Sequence, residues 1–423
     1  MPYPSEQPTM LADLKVANRR AVLLCFRRGN VLNAGEAAAR CGLSRPTVVK
    51  CIRYFEQIGL LVESGKGPAG QTGGRQPQTY CLSPDLYFVG VSLWPRETRT
   101  SLFTIGHRLV ETQELRAPLP VLAEDAARVT AEEVRGILEK NGVPRSRVMA
   151  VSVSTSGTVD RRSGTLMYSS HSPQWGRRVH LLDELRAYVG NHVPILLENA
   201  GKMTARPFLL DKELRSKRVL VLFTTWGLSG CLIDKGHIQS GPNALIGEVG
   251  HMTINPQDRE VCGCGRTGCL ERQVSADRMR RRILELRDRY PDAESVRLAE
   301  RGELGIPRMF SLSEQGDPAA REVGDALADT FASALHNIAL VFDPDCVIFQ
   351  GDYAHADRAF FIRLKQSLSG FNYYPGTTPF AIRRDMRPLE EMDAEGAFIA
   401  LDHLYFDSDD LYRQDGQGPE EEA

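Results

Sequence analysis

The stretch G-E-V-G-H, Gly247 to His251, followed after ten residues by C-G-C-G-R-T-G-C-L-E, Cys262 to Glu271, decides how this chain is read. His251, Cys262, Cys264 and Cys269 stand in the spacing H-x10-C-x-C-x4-C. Three thiolates and one imidazole suit a closed tetrahedral site, and zinc favours that set because it is borderline-soft and imposes no geometry of its own. Gly263, Gly265 and Gly268 lie between or beside the cysteines, where a chain folding back on a metal needs positive φ and close backbone approach. The plainer alternative is a glycine-rich turn with buried cysteines and a nearby histidine. Three of the nine cysteines fall within eight residues in a ligand-type spacing, and that favours a zinc site.

The same stretch resembles the signature of the ROK family, G-E-x-G-H followed by C-x-C-G-x-x-G-C-x-E. That family holds sugar kinases and sugar-responsive transcription repressors. The resemblance implies that the zinc is structural and that Glu248, His251 and Glu271 help hold a hexose. It also implies an α/β body of two lobes with the actin-like, ribonuclease H-like ATPase fold. Which branch of the family the chain follows has to be read elsewhere.

A length of 423 residues exceeds one compact core and predicts two or three units. Hydrophobic content of 42% with 25% charged residues is ordinary for a soluble globular protein. No run of about eighteen apolar residues occurs, so no membrane span is expected. The start M-P-Y-P-S-E-Q-P-T-M lacks the basic and apolar regions of a signal peptide. The other six cysteines are scattered, which fits reduced thiols in a cytoplasmic protein better than a disulfide framework. Charge is uneven: residues 1–80 hold eleven Lys/Arg against five Asp/Glu, a net +6, leaving −8 for the rest. A small basic unit ahead of a larger acidic one points to a nucleic-acid partner for the first.

Residues 1–82 read as a winged helix-turn-helix. Leu11, Leu14, Ala17, Ala21 and Leu24 recur at helical spacing up to Gly29. An alanine-rich segment, Asn33 to Arg40, precedes C-G-L-S. Ser44 then suits an N-cap, with Pro46 in the first turn of a second helix. Val48, Ile52 and Phe55 form its buried face and leave Arg45, Thr47, Lys50 and Arg53 outward, as a helix entering the major groove requires. Two strands, Leu60 to Ser64 and Gln78 to Leu82, flank a glycine-rich turn and form a wing whose Lys66 and Arg75 reach DNA phosphates or a minor groove. A structural helical bundle with a solvated basic face is the alternative. The ROK resemblance favours DNA binding, because the family's repressors carry a winged helix here with a G-G-R-x-P wing end, and Gly73 to Pro77 reads G-G-R-Q-P.

Residues 83–200 read as a first α/β lobe, with strands at Tyr87 to Leu93, Ser101 to Ile105 and Val148 to Ser154 and helices around 124–140 and 179–190. Kinases of the family carry D-x-G-G-T on the first hairpin, where glycines admit the nucleotide phosphates. This chain has S-L-W-P-R, Ser92 to Arg96, and Trp94 and Pro95 would block that approach. The family's kinases also carry E-N-D-x-N, whose Asp is the general base. Here Glu198 to Lys202 reads E-N-A-G-K: Asn199 keeps its hydrogen-bonding amide, but Ala200 stands at the base position and cannot move a proton.

Residues 201–392 read as a second lobe carrying the zinc motif. The strand Val219 to Thr224 leads into T-W-G-L-S-G-C-L-I, which keeps only Gly227 and Gly230 of the family's second phosphate turn; a plain strand–turn–strand accounts for it equally well. Asp317-Pro318 opens a long helix to about Phe342. Val347 to Phe349 predicts a strand, a closing helix is expected near 393–406, which the ROK resemblance implies returns to the first lobe, and 407–423 reads as a disordered acidic tail.

The reading that follows is a transcription regulator, most simply a repressor of carbohydrate-utilisation genes. It would bind operator DNA as a homodimer or dimer of dimers, with a kinase-like body lacking catalysis and ATP. Asn199, Glu248, His251 and Glu271 would contact a monosaccharide or sugar-phosphate effector. A ligand-independent DNA-binding and dimerisation protein, and a sugar kinase with a fused DNA-binding module, are the alternatives.

Overall fold

The computed structural model describes residues 10–67, 76–369 and 378–413. The N-terminal unit runs α1 (Met10–Phe26), β1 (Leu32–Asn33), α2 (Ala34–Cys41), α3 (Arg45–Gln57), β2 (Leu61–Lys66) and β3 (Gln78–Leu82). Local chemistry sets its helix starts. Asn33 Oδ1 accepts from the amides of Gly35 and Glu36 at 2.8 and 3.0 Å, and the Glu36 carboxylate returns to the Asn33 amide at 2.8 Å, a complete capping box. Ser44 Oγ accepts from the Thr47 amide at 3.4 Å to open α3. β1, β3 and β2 form one antiparallel sheet beside the helices. Gly73, Gly74 and Arg75, the first three residues of G-G-R-Q-P, lie outside the described residues.

The first lobe contains β4 (Tyr87–Trp94), β5 (Glu97–Thr104), β6 (Leu109–Leu115), α4 (Ala123–Lys140), β7 (Val148–Thr155), β8 (Thr158–Asp160), β9 (Thr165–Tyr168), α5 (Asp183–Val189) and β10 (Ile195–Asn199). α6 (Ala200–Ala205) leads to the second lobe. That lobe contains β11 (Arg218–Thr224), β12 (Leu228–Asp234), β13 (His237–Ile238), α7 (Leu270–Gln273), α8 (Ala276–Glu285), α9 (Glu294–Glu300), α10 (Ile306–Glu314), α11 (Pro318–Phe342), β14 (Cys346–Gly351), α12 (Arg358–Ser369) and β15 (Ala381–Asp385). The chain closes with α13 (Leu389–Phe406) and α14 (Asp410–Arg413).

The two large sheets share one topology. In the first, order β10-β7-β4-β5-β6, an antiparallel meander of three strands is extended by two parallel crossover strands. The second, order β13-β12-β11-β14-β15, repeats that plan. Parallel strands buried on both faces read as unbroken apolar runs, as Val219 to Phe223 does. The helix expected at 179–190 begins only at Asp183, because Val179 is held extended in a bridge to Leu166.

No flexible tether separates the N-terminal unit from the body. Phe26, Phe55 and Leu60 share one buried apolar cluster with Phe88 and Phe103 of the first lobe and with Phe398, Leu401 and Phe406 of α13. Each such side chain contributes roughly 1.5–3 kcal/mol on burial. Only four residues connect β3 to β4, and the Ser83 amide donates to the Leu60 carbonyl at 2.9 Å. The expected tail from 407 requires correction. Residues 407–413 fold back and end in α14, burying Leu411 and Tyr412 in this same cluster. Tyr54 Oη donates to the Leu411 carbonyl at 3.0 Å, Arg19 to the Tyr412 carbonyl at 2.6 Å, and Tyr412 Oη to the Phe406 carbonyl at 2.6 Å. Two large apolar residues amid charges supply the driving force, and averaged composition hides them. The remainder of that tail, 414–423, lies outside the described residues.

α13 is the central strut. Its Gly396 lies so close to α6 that an added Cβ would stand 2.0 Å from the Met203 carbonyl oxygen. The next residue, Ala397, sits where a Cβ on Gly90 of β4 would approach to 2.9 Å. Its far end is pinned to α1 by Arg27, whose Nε donates to both Asp402 oxygens at 2.9 and 3.1 Å. Among the described residues no helix is long and apolar enough to cross a membrane.

Candidate metal centre and ligand pocket

The metal-ligand motif folds as a knuckle. His251 ends a 3-10 turn, Val249–His251, and two single-pair bridges, Thr253 to Cys269 and Val261 to Thr267, bend the chain back on itself. Gly268 adopts φ 72°, and a Cβ there would lie 2.1 Å from the Asn255 carbonyl oxygen. Only glycine fits that fold-back. The ligand atoms of His251, Cys262, Cys264 and Cys269 all fall within 4.8 Å of one another. Cys264 Sγ lies 3.6 Å from Cys269 Sγ, and Cys262 Sγ lies 3.6 Å from His251 Nδ1. Ligands at metal–sulfur bonds of 2.3 Å in a tetrahedron stand about 3.8 Å apart, so the spacing fits such a centre. Burial, with the neighbouring Cys264 thiol, pushes the Cys269 thiol up to about 11, and burial with Glu271 and Cys269 nearby pushes Cys262 higher still; a divalent cation opposes that by favouring thiolate. Arg278 and Arg281 clamp the loop from α8, with Arg278 paired to Asp258 and 3.3 Å from Glu260, and Arg281 2.5 Å from Glu260.

Beside the knuckle, a pocket between the lobes is lined by Asn199, Ala200, Trp226, Glu248, His251 and Glu271, with Ser156, Ser170 and His171 from the first lobe. All four expected sugar contacts therefore meet in one place. Asn199 ends β10 and caps α6: its Oδ1 accepts from the Lys202 amide at 3.2 Å and its Nδ2 donates to the Gly157 carbonyl at 2.8 Å. Glu198 behind it is buried and paired with Arg206 at 2.8 Å and Arg161 at 3.3 Å, which fixes the strand end. Burial pushes the Glu248 carboxyl above its ordinary range against the pull of His251, whose Nε2 stands 3.8 Å away. Ala200 presents only a methyl group, 2% exposed, to the pocket floor.

The glycine-poor turns take on other work. Leu228 N, at the start of β12 where the turn from β11 ends, donates to Glu271 Oε2 at 3.0 Å, so a carboxylate already holds that amide. A Cβ on Gly227 would lie 2.5 Å from His171 Nε2 and 2.6 Å from Glu271 Oε2, which makes close approach of these side chains the reason for glycine. The turn at Ser92 to Arg96 places Trp94 in the interior, its ring centroid 4.9 Å from that of Trp226 across the lobe boundary. A carboxylate reaches Ser92 after all, from α13: Asp393 accepts from Ser92 and, at 3.2 Å, from Ser154.

Sequence reasoning missed His171. It follows β9 in S-S-H-S, Ser169 to Ser172, where no spacing marks it. Burial pulls its imidazole below the ordinary range, opposed by Glu271. On the N-terminal unit, Arg45, Lys50 and Arg53 project from α3 exposed, as does Lys66 from β2. Thr47 is half-buried, its Oγ1 2.8 Å from Ser44 Oγ.

These features define a two-lobed body of the actin-like sugar-kinase fold, joined to a three-helix N-terminal unit with its own small sheet. Residues 113–397 match the ROK family, and the chain belongs to that family. It is 22% identical over 400 residues to the DNA-binding transcriptional dual regulator NagC of Escherichia coli strain K12, covering 92% of this chain and 93% of that protein. It is 26% identical over 291 residues to a glucokinase of Thermotoga maritima, covering 67% of this chain and 88% of that one. The crystal structure of a ROK family transcriptional regulator, a homolog of the E. coli MLC protein, superposes with a TM-score of 0.75 at 17% identity, covering 95% of this chain and 99% of that chain.

Proposed function

We propose that this protein is a sugar-responsive, DNA-binding transcription regulator whose kinase-like body senses a ligand without phosphorylating it. One observation carries the reading: α13 touches the pocket helix α6 at Gly396 and, at its other end, shares a buried core with α1 and α3. A ligand held by Asn199, Glu248, His251 and Glu271 changes the closure of the lobes, and that closure reaches the helix bearing Arg45, Thr47, Lys50 and Arg53. The ligand shifts operator affinity only through its different affinity for the two states. Zinc on His251, Cys262, Cys264 and Cys269 is structural: it shapes the loop that presents His251 and Glu271. The protein works in the cytoplasm on carbohydrate-utilisation genes, most simply as a repressor. It binds paired half-sites as a homodimer or dimer of dimers, because one helix in one groove gives limited affinity.

Two other readings have something on their side. The glucokinase relative favours an enzyme, but Ala200 offers no proton acceptor and Leu228 N is taken by Glu271. The Trp94–Trp226 contact favours a ligand-independent protein, since it fills part of the cleft. It leaves the side lined by Asn199, Glu248 and Glu271 as a pocket, which supports a sensor. Fluorescence anisotropy with the protein's own upstream DNA, with and without a monosaccharide panel, tests the proposal. Release of DNA by one sugar supports it. Binding indifferent to every sugar overturns the sensor, and no binding at all overturns the regulator.

A further inference from the structure

We infer that Trp226 is a ligand-contacting wall that stacks against the apolar face of a pyranose ring. The inference rests on the sugar-sensing reading and adds the residue and the ring geometry it selects.

Trp226 lines the same pocket as Asn199, Glu248, His251 and Glu271, from the turn between β11 and β12. Those four residues supply hydrogen-bonding groups for ring hydroxyls, and Trp226 supplies a broad apolar surface beside them. A pyranose presents both: hydroxyls around its edge and C–H bonds on its faces, which pack on an aromatic π surface. The ring is also fixed in place. Trp94 backs it, with centroids 4.9 Å apart and planes tilted by 55°. Trp94 is itself fully buried, and the Arg99 guanidinium carbon lies 5.4 Å from its ring centroid. Arg99 is held in turn by Glu97 at 3.2 Å, Glu114 at 3.6 Å and Glu390 at 3.9 Å.

The backing comes from the first lobe and the wall from the second. The wall is therefore complete only at this separation of the lobes, and a ring stacked on it favours the closed state. A flat aromatic surface also discriminates by shape. It accepts a ring whose hydroxyls are all equatorial and disfavours an epimer with an axial hydroxyl on the stacked face.

The experiment titrates D-glucose, D-xylose, N-acetyl-D-glucosamine, its 6-phosphate and D-galactose into the full zinc-loaded chain by calorimetry. The native protein, Trp226→Phe and Trp226→Leu are compared, each checked for unchanged melting temperature and zinc content. We expect one equatorial sugar to bind the native protein and Trp226→Phe to stay close to it. Trp226→Leu should bind about tenfold or more weakly and lose discrimination against the epimer. If Trp226→Leu unfolds, Trp226→Phe with a quench of the native tryptophan emission on sugar addition carries the test, and no emission change overturns the wall. Equal affinity and selectivity in Trp226→Leu overturn this inference while sugar sensing stands. No binding of any sugar to the native protein overturns both.

Discussion

Tyr168 Oη donates to the Gly263 carbonyl at 2.6 Å, tying the first-lobe hairpin that leads to His171 directly to the metal knuckle. A Cβ on Gly263 would lie 2.5 Å from the Ser170 carbonyl oxygen, so the two segments are pressed together along their backbones. The knuckle thus supports both sides of the pocket: its own His251 and Glu271, and the opposing loop.

Zinc removal is expected to erase the sugar response before it erases DNA binding, since α3 lies in a separate core. Chelation or Cys264→Ser should abolish sugar-dependent release of operator DNA while leaving sugar-free binding largely intact. Metal analysis should find about one zinc per native chain. Because burial raises the Cys262 and Cys269 thiols, loading expels protons and apparent zinc affinity falls as pH falls. Full sugar response in metal-free protein would refute the structural role.

Restoring the missing acid should not restore an enzyme. In Ala200→Asp, Leu228 N remains committed to Glu271 and Trp94 still meets Trp226. Sugar-dependent ADP release in a coupled assay is expected at background for both the native protein and Ala200→Asp. Turnover by the native protein would sink the non-catalytic reading.

The Arg27–Asp402 pair sits where the first helix meets the last long one, and the Asp402 side chain is only 1% exposed. Arg27→Met strands a buried carboxylate, a change that destabilises by about 3–5 kcal/mol. The double variant Arg27→Met/Asp402→Leu should recover most of the loss, as thermal melts would register. An unchanged melting temperature in the single variant would show the pair to be dispensable.

Asp393 gives a pH signature. Burial pushes its carboxyl up to about 6, against hydrogen bonds from Ser92 and Ser154 and the Arg99 charge, with Glu390 adding to the rise. The folded value exceeds the unfolded one, so between about pH 4 and 6 the folded chain holds the extra proton. This residue's contribution is full below that window and is lost as pH rises through it. Asp393→Asn should therefore gain stability relative to the native protein between pH 4 and pH 7, by up to roughly 3 kcal/mol. A difference in melting temperature that stays flat with pH would contradict the assignment.

What was legible in the sequence was local. Ser44 and Asp317 announce helix starts because their side chains bond amides three residues away. The knuckle is legible because four ligands and their glycines fall within a short stretch. Ala200 is legible by its place in E-N-A-G-K. The rest depends on partners far along the chain. Nothing near Leu411 and Tyr412 reveals that α1 and α3 wait for them, and nothing near His171 reveals that Gly227 and Glu271 close around it. The common topology of the two sheets leaves no trace either, since many apolar sequences satisfy one strand order.

The packing of α14 against α1 and α3 has a consequence for biogenesis. Arg19 and Tyr54 are made early, yet their carbonyl partners at Tyr412 and Leu411 are among the last described residues to be synthesised. A nascent chain ordinarily folds its leading domain first. Here that domain lacks part of its core until Leu411 and Tyr412 have been made. A polypeptide truncated ahead of α13 would carry α3 on an incomplete unit with an exposed apolar face, a substrate for proteolysis. The core of the N-terminal unit is thus completed only in a copy translated at least through α14.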